Sequence, residues 1–116
     1  MTGAIARRAL LTGSLVALAL GGSSPRADEP VTVTVTIKDH RFTPSEVHVP
    51  AGKPSVLDLH NEDATAEEFD SKALKIEKVI AGGKSGTVRL RPLEKGRYPF
   101  VGEYHEQTAQ GVVVAD

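Results

Sequence analysis

His105 stands between two glutamates in the stretch "GEYHE", which begins at Gly102. A second stretch, "NEDATAEEFD" from Asn61 to Asp70, carries five carboxylates within nine residues and no cation among them. Crowded like charges raise one another's proton affinity and cost stability unless water or a counter-charge relieves them. Carboxylate oxygens joined by an imidazole form a hard-to-borderline ligand set. Such a set suits Fe(II), Mn(II), Cu(II) or Zn(II) better than Cu(I). The chain contains no cysteine, so a thiolate ligand, a disulfide framework and a lipidated N-terminal cysteine are all excluded.

The elements that would position these groups read as strands. Val31, Val33, Val35 and Ile37 alternate with threonines in "VTVTVTI", the period of a half-buried strand. Val47 and Val49 alternate with Glu46 and His48, and "PAG" follows as a turn signal. "SVLDLHN" places Leu57 and Leu59 on one face. "TVRLRPL", "GRYPFVGEY" and "GVVVAD" supply three further strands. "SKALKIEKVIAGGKSG" has room for one helical turn near Ser71–Leu74 and is too glycine-rich for more. Short strands at even spacing with Gly/Pro turns predict an all-β sandwich of about seven strands with at most one short helix.

The N-terminal segment is a separate matter. Arg7 and Arg8 precede an apolar run from Ala9 to Leu20, and small residues follow, as in a secretory signal. The run is too short to cross a bilayer of ~30 Å. Residues 1–27 are therefore expected to be a Sec or twin-arginine signal peptide, removed after Ala27, and 28–116 a single domain in the periplasm. From residue 28 onward eleven Lys/Arg stand against fifteen Asp/Glu, a net charge of −4, while the full chain reads −1. A mildly acidic domain without basic clusters is a poor partner for nucleic acid, because phosphate contacts need Lys and Arg.

Four pieces in order, "IKDHRFTPSEVHVPAGK", "LDLHNED", "RLRPLEKGRYPF" and "H…GVVV", resemble the cupredoxins, the Greek-key β-sandwich of the blue copper proteins. The likeness covers Val31–Ala115. It implies a metal site at one end of the sandwich, built in a blue copper centre from His, Cys, His and a weak axial Met. Mapped onto this chain, the first His position is Glu67, six residues after Asn61. The Cys position is Gly102, the Met position is Thr108, and only His105 is retained. With no thiolate, ordinary type-1 copper electron transfer is rejected. The resemblance brings Glu67 beside His105 and so puts oxygen donors where sulfur would stand.

"TAEEFDSKALKIEKVI" and "YPFVGEYHEQTAQG" are similar to a narrower group, the periplasmic cupredoxin-like proteins of bacterial Ftr/Efe-type ferrous-iron uptake. That likeness implies binding or oxidation of Fe(II), with copper as a possible redox partner. It also implies work beside an inner-membrane iron permease or another periplasmic uptake component. A binding protein is expected rather than an enzyme, with iron or copper held by Glu67 and His105 and with Glu103 or Glu68 helping.

Blander roles stand beside each of these. His105 could pack a loop, and Glu67 could belong to a solvated acidic segment. Glu67 and Phe69 lie two apart, so in an extended segment both turn to one side and Glu68 to the other. Glu103, next to an inward Gly102, should face outward. Glu106 lies in a loop of unknown path. His40 and His48 are weaker candidates as ligands, and His48 and His60 fall on solvent faces by alternation. Arg41 could neutralise the acidic segment. Lys72, Lys75 and Lys78 form a charge run of the kind that is usually a solvated surface. Few firm ligands leave room for a homodimer that completes the shell. Two competing functions remain: a non-redox adaptor docking through its acidic face, and a degenerate scaffold.

Overall fold

The alternation of valine and threonine builds β1 (Val31–Lys38), which buries Val35 and Ile37 completely. Val31, at the open end of the strand, is 42% exposed, so the inward row begins only at half-buried Val33. A computed structural model describes residues 29–116, and the expected leader over 1–27 lies outside the described residues. Eight further strands follow: β2 (Arg41–Thr43), β3 (Glu46–Val49), β4 (Ser55–Asn61), β5 (Glu67–Ser71), β6 (Ile76–Ile80), β7 (Ser85–Leu90), β8 (Gly96–Gly102) and β9 (Gln110–Ala115). The only helical element among the described residues is a 3-10 turn at Glu103–His105.

The strands form two sheets, ordered β2-β1-β4-β7 and β3-β9-β8-β5-β6. β1 runs parallel to β4 and β3 parallel to β9, and the remaining pairings are antiparallel. The inner faces meet in one apolar core that includes Val35, Leu57, Leu59, Phe69, Phe100 and Val113. Strand β4 shows why: Ser55, Leu57, Leu59 and Asn61 are buried while Val56, Asp58 and His60 are half-buried, the alternation of a sheet with one packed face.

All three phenylalanines of the chain gather in one layer. Phe42 meets Phe100 edge-on at 4.9 Å and Phe69 at 6.2 Å, while Phe69 and Phe100 stack at 4.7 Å. Each such pair adds about 0.5–1.5 kcal/mol beyond the burial of its area. Phe69 follows Glu67 by two residues, so this aromatic floor fixes the strand that carries the candidate ligand.

The expected helical turn near Ser71–Leu74 is instead the tip of a β-hairpin. The Ser71 hydroxyl accepts the Leu74 N–H at 3.0 Å, Lys75 takes a left-handed φ of 60°, and the chain returns as β6. Glu77, Lys78 and Val79 of β6 are exposed, so the strand lacks the clear apolar alternation that would announce it.

Candidate functional site

The site is assembled by β5, the end of β8 and the 3-10 turn that follows it. Alternation along β5 buries Glu67, Phe69 and Ser71 and turns Glu68 and Asp70 to the other face. Glu67 is 1% exposed, the most deeply buried acidic group of the described residues. Its carboxylate is fully engaged. Oε1 accepts the backbone N–H of Glu68 and that of Tyr104, each at 2.9 Å. Oε2 meets His105 Nδ1 at 2.6 Å. A buried carboxyl costs several kcal/mol unless its oxygens are satisfied, and here three donors satisfy it.

These contacts assign the histidine tautomer. The carboxylate already accepts two backbone donors, so Nδ1 is the donor toward it, and Nε2 on the far edge of the ring is left free. Nε2 has no hydrogen-bond partner among the described residues. The His105 side chain is 25% exposed, against 2% for Glu67. A carboxylate bonded to one nitrogen of an imidazole whose other nitrogen is left free is the arrangement that orients a metal-binding histidine. His105 opens on a shallow cleft shared with His40, Tyr104, Glu106, Gln107 and Thr108.

Gly102 explains the room available to Glu67. A Cβ at position 102 would lie 2.6 Å from Glu67 Cδ and 2.6 Å from Ala109 Cβ. The acid's carboxylate occupies the volume into which a residue-102 side chain would point. A type-1 copper site therefore does not fit these residues: the thiolate place is filled by the neighbour's carboxylate, and Thr108, at the axial position, donates its hydroxyl to the His40 carbonyl at 2.6 Å.

The "N-x-D" motif ending β4 has a structural role at the same end. Asn61 is buried, and its amide donates to the carbonyls of Thr65 (2.9 Å), Ile80 (3.0 Å) and Ala81 (3.3 Å). Its Oδ1 accepts the Asp63 N–H at 3.0 Å. Asp63 thus aims its carboxylate at the β1–β2 turn, accepting the N–H of Asp39 at 2.7 Å and of His40 at 3.0 Å. The His40 bond is the main cause holding the Asp63 carboxyl below its ordinary 3.8. The turn so held stacks the His40 ring on that of His105, centroids 3.5 Å apart and planes within 10°.

Of the four residues the sequence singled out, the structure joins Glu67 and His105 and separates Glu68 and Glu103 from them. Glu68 on the outer face of β5 and Glu103 at the start of the 3-10 turn after β8 meet Glu77 of β6, with ligand atoms within 4.8 Å of one another. A shared hydrogen bond with Glu103 is the first cause pushing the Glu68 carboxyl up to about 7; burial and the charges of Glu103, Glu77 and Asp70 add to it. Glu67 and Glu68 thus project from opposite faces of β5. Glu77 lies on a strand without apolar alternation, and the left-handed turn that places His40 has no periodic signal in the sequence.

His48 lies on a solvent face, 3.1 Å from Asp116. His60, on the outer face of β4, bonds Asp58 at 2.9 Å and Ser85 at 3.2 Å. Arg41 makes no ion pair among the described residues, and the acidic segment's cation contact is Lys38 with Glu62 at 4.0 Å. Glu106 is exposed at the rim of the cleft.

The sequence model of the family described as "Cupredoxin-like domain" matches residues 10–115, a span that begins within the expected leader. The chain is 39% identical over 95 residues to "Uncharacterized protein RP394" of Rickettsia prowazekii (strain Madrid E), covering 82% of this chain and 76% of that protein. Among solved structures it is similar in fold to auracyanin A, a "blue" copper protein from Chloroflexus aurantiacus. The TM-score is 0.65 at 17% identity, over 76% of this chain and 100% of that one. It is equally similar to the metal-binding domain of the Streptococcus pneumoniae D39 Cu(I) exporting P-type ATPase CopA. There the TM-score is 0.65 at 17% identity, over 78% of this chain and 99% of that one.

Proposed function

The chain belongs to the cupredoxin-like domain family, and from that premise we propose that it is a metal-binding protein of the periplasm whose ligand end has exchanged sulfur for imidazole and carboxylate. The observation that carries this reading is the 2.6 Å contact between buried Glu67 and His105 Nδ1, which leaves Nε2 of a residue bordering the cleft without a hydrogen-bond partner among the described residues. His105 is the ligand and Glu67 the positioning residue that fixes its tautomer and raises its basicity. This revises the role expected for Glu67, whose oxygens are already occupied. Imidazole suits Cu(II), Zn(II) and Fe(II). Copper draws added support from the two solved neighbours, described as a "blue" copper protein and a Cu(I)-bound domain.

The triad of Glu68, Glu77 and Glu103 supports a second locus, an all-oxygen one suited to a hard divalent ion such as Fe(II) or Mn(II). Iron uptake is the setting proposed for both, with an inner-membrane iron permease or another periplasmic component as partner. It rests on the likeness of the "TAEEFDSKALKIEKVI" and "YPFVGEYHEQTAQG" segments. A dimer that shares a site would complete either shell.

Anaerobic titration with Fe(II) and titration with Cu(II) test the reading. His105→Ala is expected to abolish Cu(II) binding at the cleft. Glu67→Gln presents an amide to Nδ1, inverts the tautomer and weakens binding about 10–100-fold, the usual cost of an outer-shell partner. Fe(II) binding that survives both variants and is lost in Glu68→Gln/Glu103→Gln assigns iron to the carboxylate triad. No binding of either ion in the parent protein sinks the proposal and leaves an adaptor or bare scaffold.

A further inference from the structure

Asp39 and His40 occupy the β1–β2 turn with φ of 54° and 59°, two successive non-glycine residues in the left-handed region. Each such residue costs roughly 1–2 kcal/mol, and turns of this kind favour Asn-Gly. Strain of this sort persists only where the surroundings over-determine it. Here they do. Asp63 accepts both turn N–H groups, buried Asn61 positions Asp63, and Thr108 from the loop before β9 binds the His40 carbonyl. The backbone of one residue is gripped from two other segments of the chain, and the result is the placement of a single ring.

That ring lies flat on His105, 3.5 Å away, and neither of its nitrogens has a hydrogen-bond partner among the described residues. Both imidazoles border the same cleft, of about 380 Å³. A ring needed only for packing would not require nitrogens, and phenylalanine would stack as well. We infer that His40 is a second ligand, and that His40 and His105 together bind one borderline divalent ion of the Cu(II) class through their free ring nitrogens. The inference rests on the assignment of His105 as a ligand and extends it. The lone pairs of the two rings lie in near-parallel planes, ring centroids 3.5 Å apart, so an ion held by both must tilt the rings out of parallel. Metal binding then opens the stack.

The chain has four histidines, and replacing His48 and His60 by glutamine leaves only this pair. In that background, Cu(II) bound to the full chain is examined by pulsed electron paramagnetic resonance, which counts coordinated imidazoles, alongside a binding titration. Two imidazoles are expected. His40→Phe keeps a stacked ring without nitrogens; it should show one imidazole and bind at least about tenfold more weakly, a loss no smaller than that of an outer-shell partner. His105→Ala should lose the signal. If His40→Phe binds Cu(II) as tightly as its parent, or more tightly, with an unchanged imidazole count, His40 is a cover and the inference fails while His105 stands as ligand. If His105→Ala also binds unchanged, both assignments fall. Circular dichroism of each variant confirms that the sandwich is retained.

Discussion

Asp63 shows how much one side chain can decide. It touches no candidate ligand atom, yet its two oxygens hold the turn that carries His40. Asp63→Ala removes both acceptors and should destabilise the fold by about 1–3 kcal/mol, the loss of two hydrogen bonds at about 0.5–1.5 kcal/mol each. Asp63→Asn is the sharper probe: it keeps the size and, as protonation of the acid does, removes the charge and one of the two acceptors, leaving a single oxygen for the turn. The His40 N–H holds the folded carboxyl below its ordinary 3.8, so the stability it contributes is complete above that value and is lost as pH falls through the lower folded one. Thermal unfolding of the parent and of Asp63→Asn should therefore differ most near neutral pH and converge in strong acid. A gap that does not change with pH would show that the charge is irrelevant to the turn. The same residue marks the limit of sequence reading. "N-x-D" was legible as a motif, but its purpose depends on a left-handed His40 that no periodicity announces.

At the scale of the element, strand β5 was the most readable part of the site. Two-residue alternation with Phe69 was enough to turn Glu67 inward and Glu68 outward, and Gly102 inward with Glu103 outward followed from Phe100. What alternation could not give was the consequence for metal binding. Glu67 faces inward, where Tyr104, Glu68 and His105 contact its carboxylate, while Glu68 faces outward toward Glu103 and Glu77. Strand β6 escaped because its exposed Glu77, Lys78 and Val79 carry no apolar rhythm, and Glu77 escaped with it. The fit between β5 and β8 is itself testable. A methyl added at position 102 collides with Glu67 Cδ and Ala109 Cβ, so Gly102→Ala should cost about 1–3 kcal/mol by overpacking. Glu67→Ala removes one of the colliding groups, so the double variant should lose less than the two single losses summed, by about 0.5–3 kcal/mol. Additive losses in denaturant unfolding would mean that the two positions do not share that space.

Across the whole molecule, the sandwich separates an imidazole end, reached from a cleft, from an acidic sheet face that carries Glu68, Asp70, Glu77 and Glu103. Lys72 and Lys75 lie near one edge of that face, but no ion pair among the described residues joins a cation to any of these four carboxylates. Protons offset it first. Glu68, raised from 4.5 to about 7, shares a hydrogen bond with Glu103, and the repulsion of Glu103, Glu77 and Asp70 favours its neutral form. An acid whose folded value is raised contributes stability that is fully present below its ordinary value and is lost as pH rises through the folded one. The parent protein should therefore lose thermal stability between about pH 5 and about pH 8, beyond any change in a Glu68→Gln variant, whose amide keeps a donor toward Glu103 and carries no charge. The variant should be the more stable of the two at about pH 8 and equal to its parent in acid. A divalent cation can take the proton's place. Mn(II) should raise the parent's melting temperature at about pH 8, should do less near pH 5 where Glu68 already carries a proton, and should leave Glu68→Gln/Glu103→Gln unmoved. If Mn(II) stabilises parent and double variant alike, the three carboxylates are only a crowded surface, and any hard ion the protein carries is held elsewhere.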